Sequence, residues 1–156
     1  MPSNEFRCQI TELTSQLAGK ALNEDLQTWL NETHGVNSLT YRQLDKSCRQ
    51  GVAEGWMCER EAGGIGYGRV FKPDEDLAGF SVDVVDMQDV VGPHHTHPKG
   101  EIDLVMPLEG DALFDGHPAG WVVCPPGSAH QPTVSNGRAL VLYLLPEGSI
   151  EFTSPD

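Results

Sequence analysis

The chain of 156 residues is about one domain long, on the usual scale of ~150 residues per domain. Its 38% hydrophobic and 21% charged residues make an ordinary globular mix rather than a disordered one. A net charge of −13, from 10 Lys+Arg against 23 Asp+Glu, repels phosphate backbones and anionic lipid, which argues against nucleic-acid and membrane-surface roles.

In chain order, residues 1–60 carry one proline and four glycines, whereas residues 61–156 carry ten prolines, thirteen glycines and five of the six histidines. The first stretch reads as helices and the second as short strands joined by tight turns. Ile10, Leu13 and Leu17 share one helical face, and Leu22, Leu26, Trp29 and Leu30 share another, ending near Gly35. A third helix is expected after Ser38 or Thr40, with Leu44 and Cys48 on its apolar side, running to about Gly55. These stripes read as packing surfaces for the rest of the domain or for a second subunit.

From Trp56 the period changes to two. Phe80, Val82 and Val84 alternate with Ser81 and Asp83; Ile102, Leu104 and Met106 alternate in the same way. Glu109-Gly110 offers a turn before Ala112 to Phe114, and Asn136-Gly137 offers a hairpin signal before Arg138. Trp121 to Cys124 and Ala139 to Leu145 supply further strands. The expected division is a helical segment over 1–58 and an antiparallel sandwich or barrel over 59–156.

Cys8, Cys48, Cys58 and Cys124 form no CxxC pair, so neither a zinc knuckle nor a thioredoxin-like motif is present. The first twenty residues hold no apolar stretch of signal-peptide length, and the longest apolar run, Ala139 to Leu145, is too short for a membrane span. A soluble cytoplasmic protein with reduced thiols is expected.

The densest chemical signal is Gly92-Pro93-His94-His95-Thr96-His97-Pro98-Lys99-Gly100-Glu101. Residues two apart on a strand point to one face, so His95 and His97 project together, and Glu101 can return a carboxylate to them beyond the Pro/Gly bend. Two imidazoles and a carboxylate suit a divalent first-row metal and leave positions open for substrate. His130, after the turn Pro125-Pro126-Gly127, is a fourth candidate from a neighbouring strand. His94 has the opposite parity, and His117 lies in a turn. Asp103 shares Glu101's parity and so faces the interior, as a proton carrier or as the partner of an Arg.

These two stretches resemble the paired motifs of the cupin superfamily. His95, His97 and Glu101 match the first motif; Gly120, Pro125, Gly127 and His130 match the second, with a spacer one residue short. The resemblance implies a mainly β, antiparallel jelly-roll barrel preceded by the helical segment. It also implies a metal (Fe, Mn, Ni, Co or Zn) held by His95, His97, Glu101 and His130. Gly92, Gly110 and Val134 depart from the motif spacing or identity, which bears on where the strands end and not on the four ligands.

A longer resemblance runs from His94 to Pro107, from Phe114 to Val123 and from Pro125 to His130, and includes the helical segment. Over these stretches the chain is similar to the 4-hydroxylaminobenzoate lyase family, which converts 4-hydroxylaminobenzoate to 3,4-dihydroxybenzoate (protocatechuate) with loss of ammonia in bacterial nitroaromatic degradation. For such a lyase, Glu101, His97, His130 and Asp103 are the residues expected to carry the chemistry, with Glu101 or Asp103 as the proton carrier, and no nicotinamide or flavin is expected because no net electrons are exchanged. A small aromatic acid also needs a cation, for which Arg69 is expected, beside Tyr67 for ring stacking. Two other readings stand beside it: a metal-dependent cupin dioxygenase acting on a small aromatic, and a non-catalytic cupin that binds a small molecule. A homodimer is the expected assembly, from the helical arm and the exposed sheet edges.

Overall fold

The computed structural model describes residues 2–154; the outermost residues of the two expected segments lie outside them. Three helices come first: α1 (Pro2–Leu17), α2 (Glu24–Thr33) and α3 (Leu39–Glu54). Asn23 caps α2 by accepting the Leu26 N–H, and Ser38 caps α3 by accepting the Tyr41 N–H, which satisfies donors the first turn leaves free. Gly55, in the left-handed conformation, ends α3.

Nine strands follow: β1 (Arg60–Ala62), β2 (Ile65–Phe71), β3 (Phe80–Val91), β4 (His95–His97), β5 (Glu101–Phe114), β6 (Gly120–Cys124), β7 (Ser128–His130), β8 (Thr133–Pro146) and β9 (Glu151–Phe152). They pair antiparallel in two sheets, β1-β2-β3-β8-β5-β6 and β7-β4-β9, a cupin-type jelly roll whose ladders form two sheets rather than one closed cylinder.

The large sheet has two buried faces. On its outer face Val82, Val84, Ile102, Leu104, Leu140, Leu142 and Leu144 meet the helical stripe of Phe6, Ile10, Leu13, Leu17, Leu30 and Leu44 in one core. Each such side chain contributes about 1.5–3 kcal/mol by leaving water. On the inner face Met87, Val105, Phe114, Val134, Val141 and Tyr143 form a second cluster. The edge strand β6 is covered by α2. Asn31 accepts from the Trp121 N–H and donates to the Trp121 carbonyl, and Gln27 accepts from the Val123 N–H. Two side-chain amides thus replace the missing neighbouring strand.

Two expected turns are not turns. Glu109-Gly110 lies inside the continuous β5, and Asn136-Gly137 lies inside β8, directly opposite it at an irregularity of the β5–β8 ladder. A Cβ at Gly137 would stand 2.0 Å from the Glu109 carbonyl oxygen, and one at Gly110 would stand 2.6 Å from that of Asn136. Both glycines serve a close approach of two backbones, which carries the same local signal as a hairpin. Arg138 is accordingly not a free surface residue. It forms a two-pronged pair with Asp86 and also reaches Glu109.

Among the described residues, no helix is long and apolar enough to cross a membrane.

Candidate active site

The short sheet places the histidines. In β4, His95 and His97 point inward together, and the ladder with β7 sets His130 directly opposite His95 and Ser128 directly opposite His97. Glu101 arrives through a tight turn in which the Gly100 N–H donates to the His97 carbonyl. Gly100 has φ +91, and a Cβ there would meet Leu22 at 2.7 Å and the Cys124 carbonyl at 2.9 Å, so the return of Glu101 depends on glycine.

The four expected ligands converge. His95 Nε2 lies 3.3 Å from Glu101 Oε1, while His97 Nε2 and His130 Nε2 lie 3.3 and 3.4 Å from Glu101 Oε2. His130 Nε2 is 3.1 Å from His95 Nε2. His95, His97 and Glu101 are buried, and His130 is partly exposed.

Each imidazole is oriented through its other nitrogen. His95 Nδ1 faces the Pro93 carbonyl at 3.2 Å, His97 Nδ1 faces Ser128 Oγ at 3.0 Å, and His130 Nδ1 faces Asp115 Oδ2 at 2.5 Å. Asp115 also accepts from the Thr133 N–H, so its carboxylate is braced in turn. Outward-facing acceptors fix the tautomer and turn every Nε2 toward the centre.

The donor set fits a metal. His97 Nε2 and both Glu101 oxygens are buried with no hydrogen-bond partner, an arrangement that costs stability unless a cation meets them. Bonds of about 2.0–2.2 Å to a first-row ion require donor atoms about 3 Å apart, which is the observed spacing.

Electrostatics divide the two carboxyls. Burial opposes the Glu101 charge, but the three surrounding imidazoles outweigh it and hold its carboxyl well below the usual range. Asp103 is wholly buried with neither oxygen hydrogen-bonded. Burial first, then the Glu101 charge, push it well above the usual carboxylate range. The two neighbouring carboxyls are thus pushed in opposite directions. Burial also works against a charged His130, yet Asp115 and Glu101 raise it to about 9.

The cluster opens through His95 into a cavity of about 860 Å³, lined also by Tyr67, Arg69, Asp83, Tyr143 and Phe152. Both expected substrate contacts are on its wall. Tyr67 is uncommitted and part exposed, whereas Arg69 donates to both Asp83 oxygens at 3.0 and 3.3 Å. His94 is turned away, bonded to Thr153. His117 faces the Phe114 backbone in its turn.

Two groups escaped the sequence reading. Asp115 was visible only as part of the Asp115-Gly116 turn; nothing local announces that it reaches His130. Arg60 lines the cavity from β1, at the boundary between the helical and strand-rich stretches, whereas the expected cation was Arg69.

Comparison with known proteins places the chain in a family. The family model described as 4-hydroxylaminobenzoate lyase (PnbB) matches residues 8–152. A 4-hydroxylaminobenzoate lyase of Pseudomonas putida is 32% identical, with 90% of each chain covered. One of Nocardioides sp. (strain LMS-CY) is 34% identical, covering 88% of this chain and 87% of that one. Among solved structures, an RmlC-like cupin protein from Ralstonia eutropha aligns with 60% of this chain and 62% of its own, at 14% identity and TM-score 0.45. Oxalate oxidase in complex with glycolate aligns with 60% of this chain and 57% of its own, at 20% identity and TM-score 0.42. With a match across nearly its whole length, this chain belongs to the 4-hydroxylaminobenzoate lyase family.

Proposed function

We propose that this protein is a lyase that converts 4-hydroxylaminobenzoate and one water to 3,4-dihydroxybenzoate (protocatechuate) and ammonia, cleaving the carbon–nitrogen bond. The observation that carries the reading is the cluster of His95, His97, His130 and Glu101, which His95 joins to a cavity of about 860 Å³, the size class of small-molecule sites, in a chain of this family.

The overall change requires the hydroxylamine oxygen to leave with a proton, water to add beside the nitrogen-bearing carbon, and a second water to release the nitrogen. No electrons are gained or lost in the balance, so no nicotinamide or flavin is required. His95, His97, His130 and Glu101 are the residues that would hold a divalent metal, and such an ion supplies Lewis acidity toward a substrate oxygen.

The chain's own groups do the rest. Asp103, kept neutral by burial, holds a proton on its carboxyl beside the Glu101 carboxylate, a pair suited to delivering a proton and recovering it. His97 and His130 hold their Nε2 atoms at the reacting end, each braced behind. Tyr67 offers a ring face to the aromatic substrate, and the Arg69–Asp83 pair stiffens the wall behind it. Residues 1–58 serve as the helical cover of the cupin barrel over 59–156. The four free cysteines suit a reducing, cytoplasmic setting.

The test is ammonia release from 4-hydroxylaminobenzoate without oxygen, before and after chelation. Ammonia with 3,4-dihydroxybenzoate, lost on chelation and restored by a divalent ion, is the expected result. Strict oxygen dependence would replace the lyase by a dioxygenase, and binding without turnover would replace it by a non-catalytic binder.

A further inference from the structure

We propose that Arg60 is the group that pairs with the carboxylate of the bound aromatic acid, at the end of the cavity away from the histidines. The inference rests on the substrate reading above, because it assigns the second end of that substrate.

A para-substituted benzoate carries its nitrogen and its carboxylate at opposite ends of the ring. With the nitrogen end at His95 and Glu101, the carboxylate is directed across the large sheet. The register shows where it arrives. Arg60 stands opposite Tyr67, and Tyr67 stands opposite Val85, so the three side chains share the cavity face in one row. The next row along that face is Arg69, Asp83, Tyr143 and Asp103. Tyr143, near His95 with ring centroids 6.4 Å apart, and Arg60 belong to strands three positions apart in the sheet order. That is about 14 Å of backbone spacing, which a benzene ring and an extended arginine side chain bridge together.

The charge inventory of the wall points the same way. Its formally charged side chains are Glu59, Arg60, Arg69 and Asp83. Arg69 spends Nε and Nη2 on Asp83 and also donates to the Gly148 carbonyl at 3.4 Å. Capturing a second carboxylate would strip Asp83 of its partner, and Asp83 is only 17% exposed. Arg60 has no ion pair or hydrogen bond to any described residue, so its planar fork is free to meet a carboxylate on two prongs. It also sits on an exposed edge strand, where its replacement does not disturb the core.

The experiment compares binding of 4-aminobenzoate and its neutral counterpart 4-aminobenzamide by calorimetry, in the wild type, Arg60→Gln, Arg60→Lys and Arg69→Gln. The wild type should prefer the acid. Arg60→Gln should weaken the acid by about 10–100-fold, the value of a charge-assisted pair, and leave the amide within about twofold. Arg60→Lys should keep part of the preference. Equal loss of both ligands in Arg60→Gln, a preference that survives it, a preference lost instead in Arg69→Gln, or no preference in the wild type each overturns the assignment. These readings do not depend on turnover. A wild type that discriminates the two analogues through Arg60 but releases no ammonia from 4-hydroxylaminobenzoate would sink the lyase reading alone.

Discussion

Each histidine of the cluster uses one nitrogen on the protein and offers the other to the centre, so the site depends on acceptors as much as on ligands. Asp115 is the clearest case, because it anchors both His130 and the Thr133 backbone. Asp115→Asn keeps the size of the side chain and removes its charge. It should lower turnover and metal retention by about 10–100-fold while the melting temperature changes little, measured by steady-state kinetics and metal analysis. Unchanged kinetics would make Asp115 a turn residue only. His97→Ala and His130→Ala remove donors outright and should reduce ammonia release to background in a protein that keeps its circular dichroism spectrum. Retained turnover in both variants would exclude this cluster as the site. His95, His97, Glu101 and His130 were legible before any fold, because alternation on a strand and a Pro/Gly bend are local rules. Asp115 was not, because its contact with His130 joins the turn after β5 to strand β7, which only the fold brings together.

At the scale of elements, long strands replace the hairpins that glycine pairs suggested. β5 and β8 run for 14 residues each, and their facing glycines let two backbones nearly touch. Gly137→Ala forces a Cβ into the Glu109 carbonyl, and should cost more than about 3 kcal/mol, read as a lowered denaturant midpoint with an unchanged slope. A cost under about 1 kcal/mol would mean that the ladder yields locally. α2 contributes through Asn31 and Gln27 as well as through its apolar stripe. The stripe was readable from 3.6-residue spacing, whereas the pairing of side-chain amides with β6 was not, since edge strands are defined only by the finished sheet.

For the whole molecule, the large sheet separates two environments. Its outer face is dry and apolar under the helices. Its inner face carries Asp83 at the cavity wall and the fully buried carboxyls of Asp103 and Glu101, in a protein already at −13. His97 Nε2 and both Glu101 oxygens are buried Lewis bases with no hydrogen-bond partner, and a bound cation would offset the cost of burying them. Removing metal with a chelator should therefore lower the melting temperature by on the order of 10 °C, and readdition of a divalent ion should restore it, as scanning calorimetry would read. No shift on chelation, with no metal found by elemental analysis, would leave the histidines as acid–base groups.

The sequence by itself determined the helical start, the strand-rich remainder, the inward parity of His95, His97, Glu101 and Asp103, and the family to which the chain belongs. All of these follow from spacing along one segment or from short motifs, which neighbouring residues express without help. The tertiary structure decided in which direction each buried carboxyl is pushed, which arginine is already spent on Asp83, and which one stands free at the cavity wall. Those properties depend on burial and on partners tens of residues away. Burial sets the cost of charge, and only the folded chain brings the partners within reach.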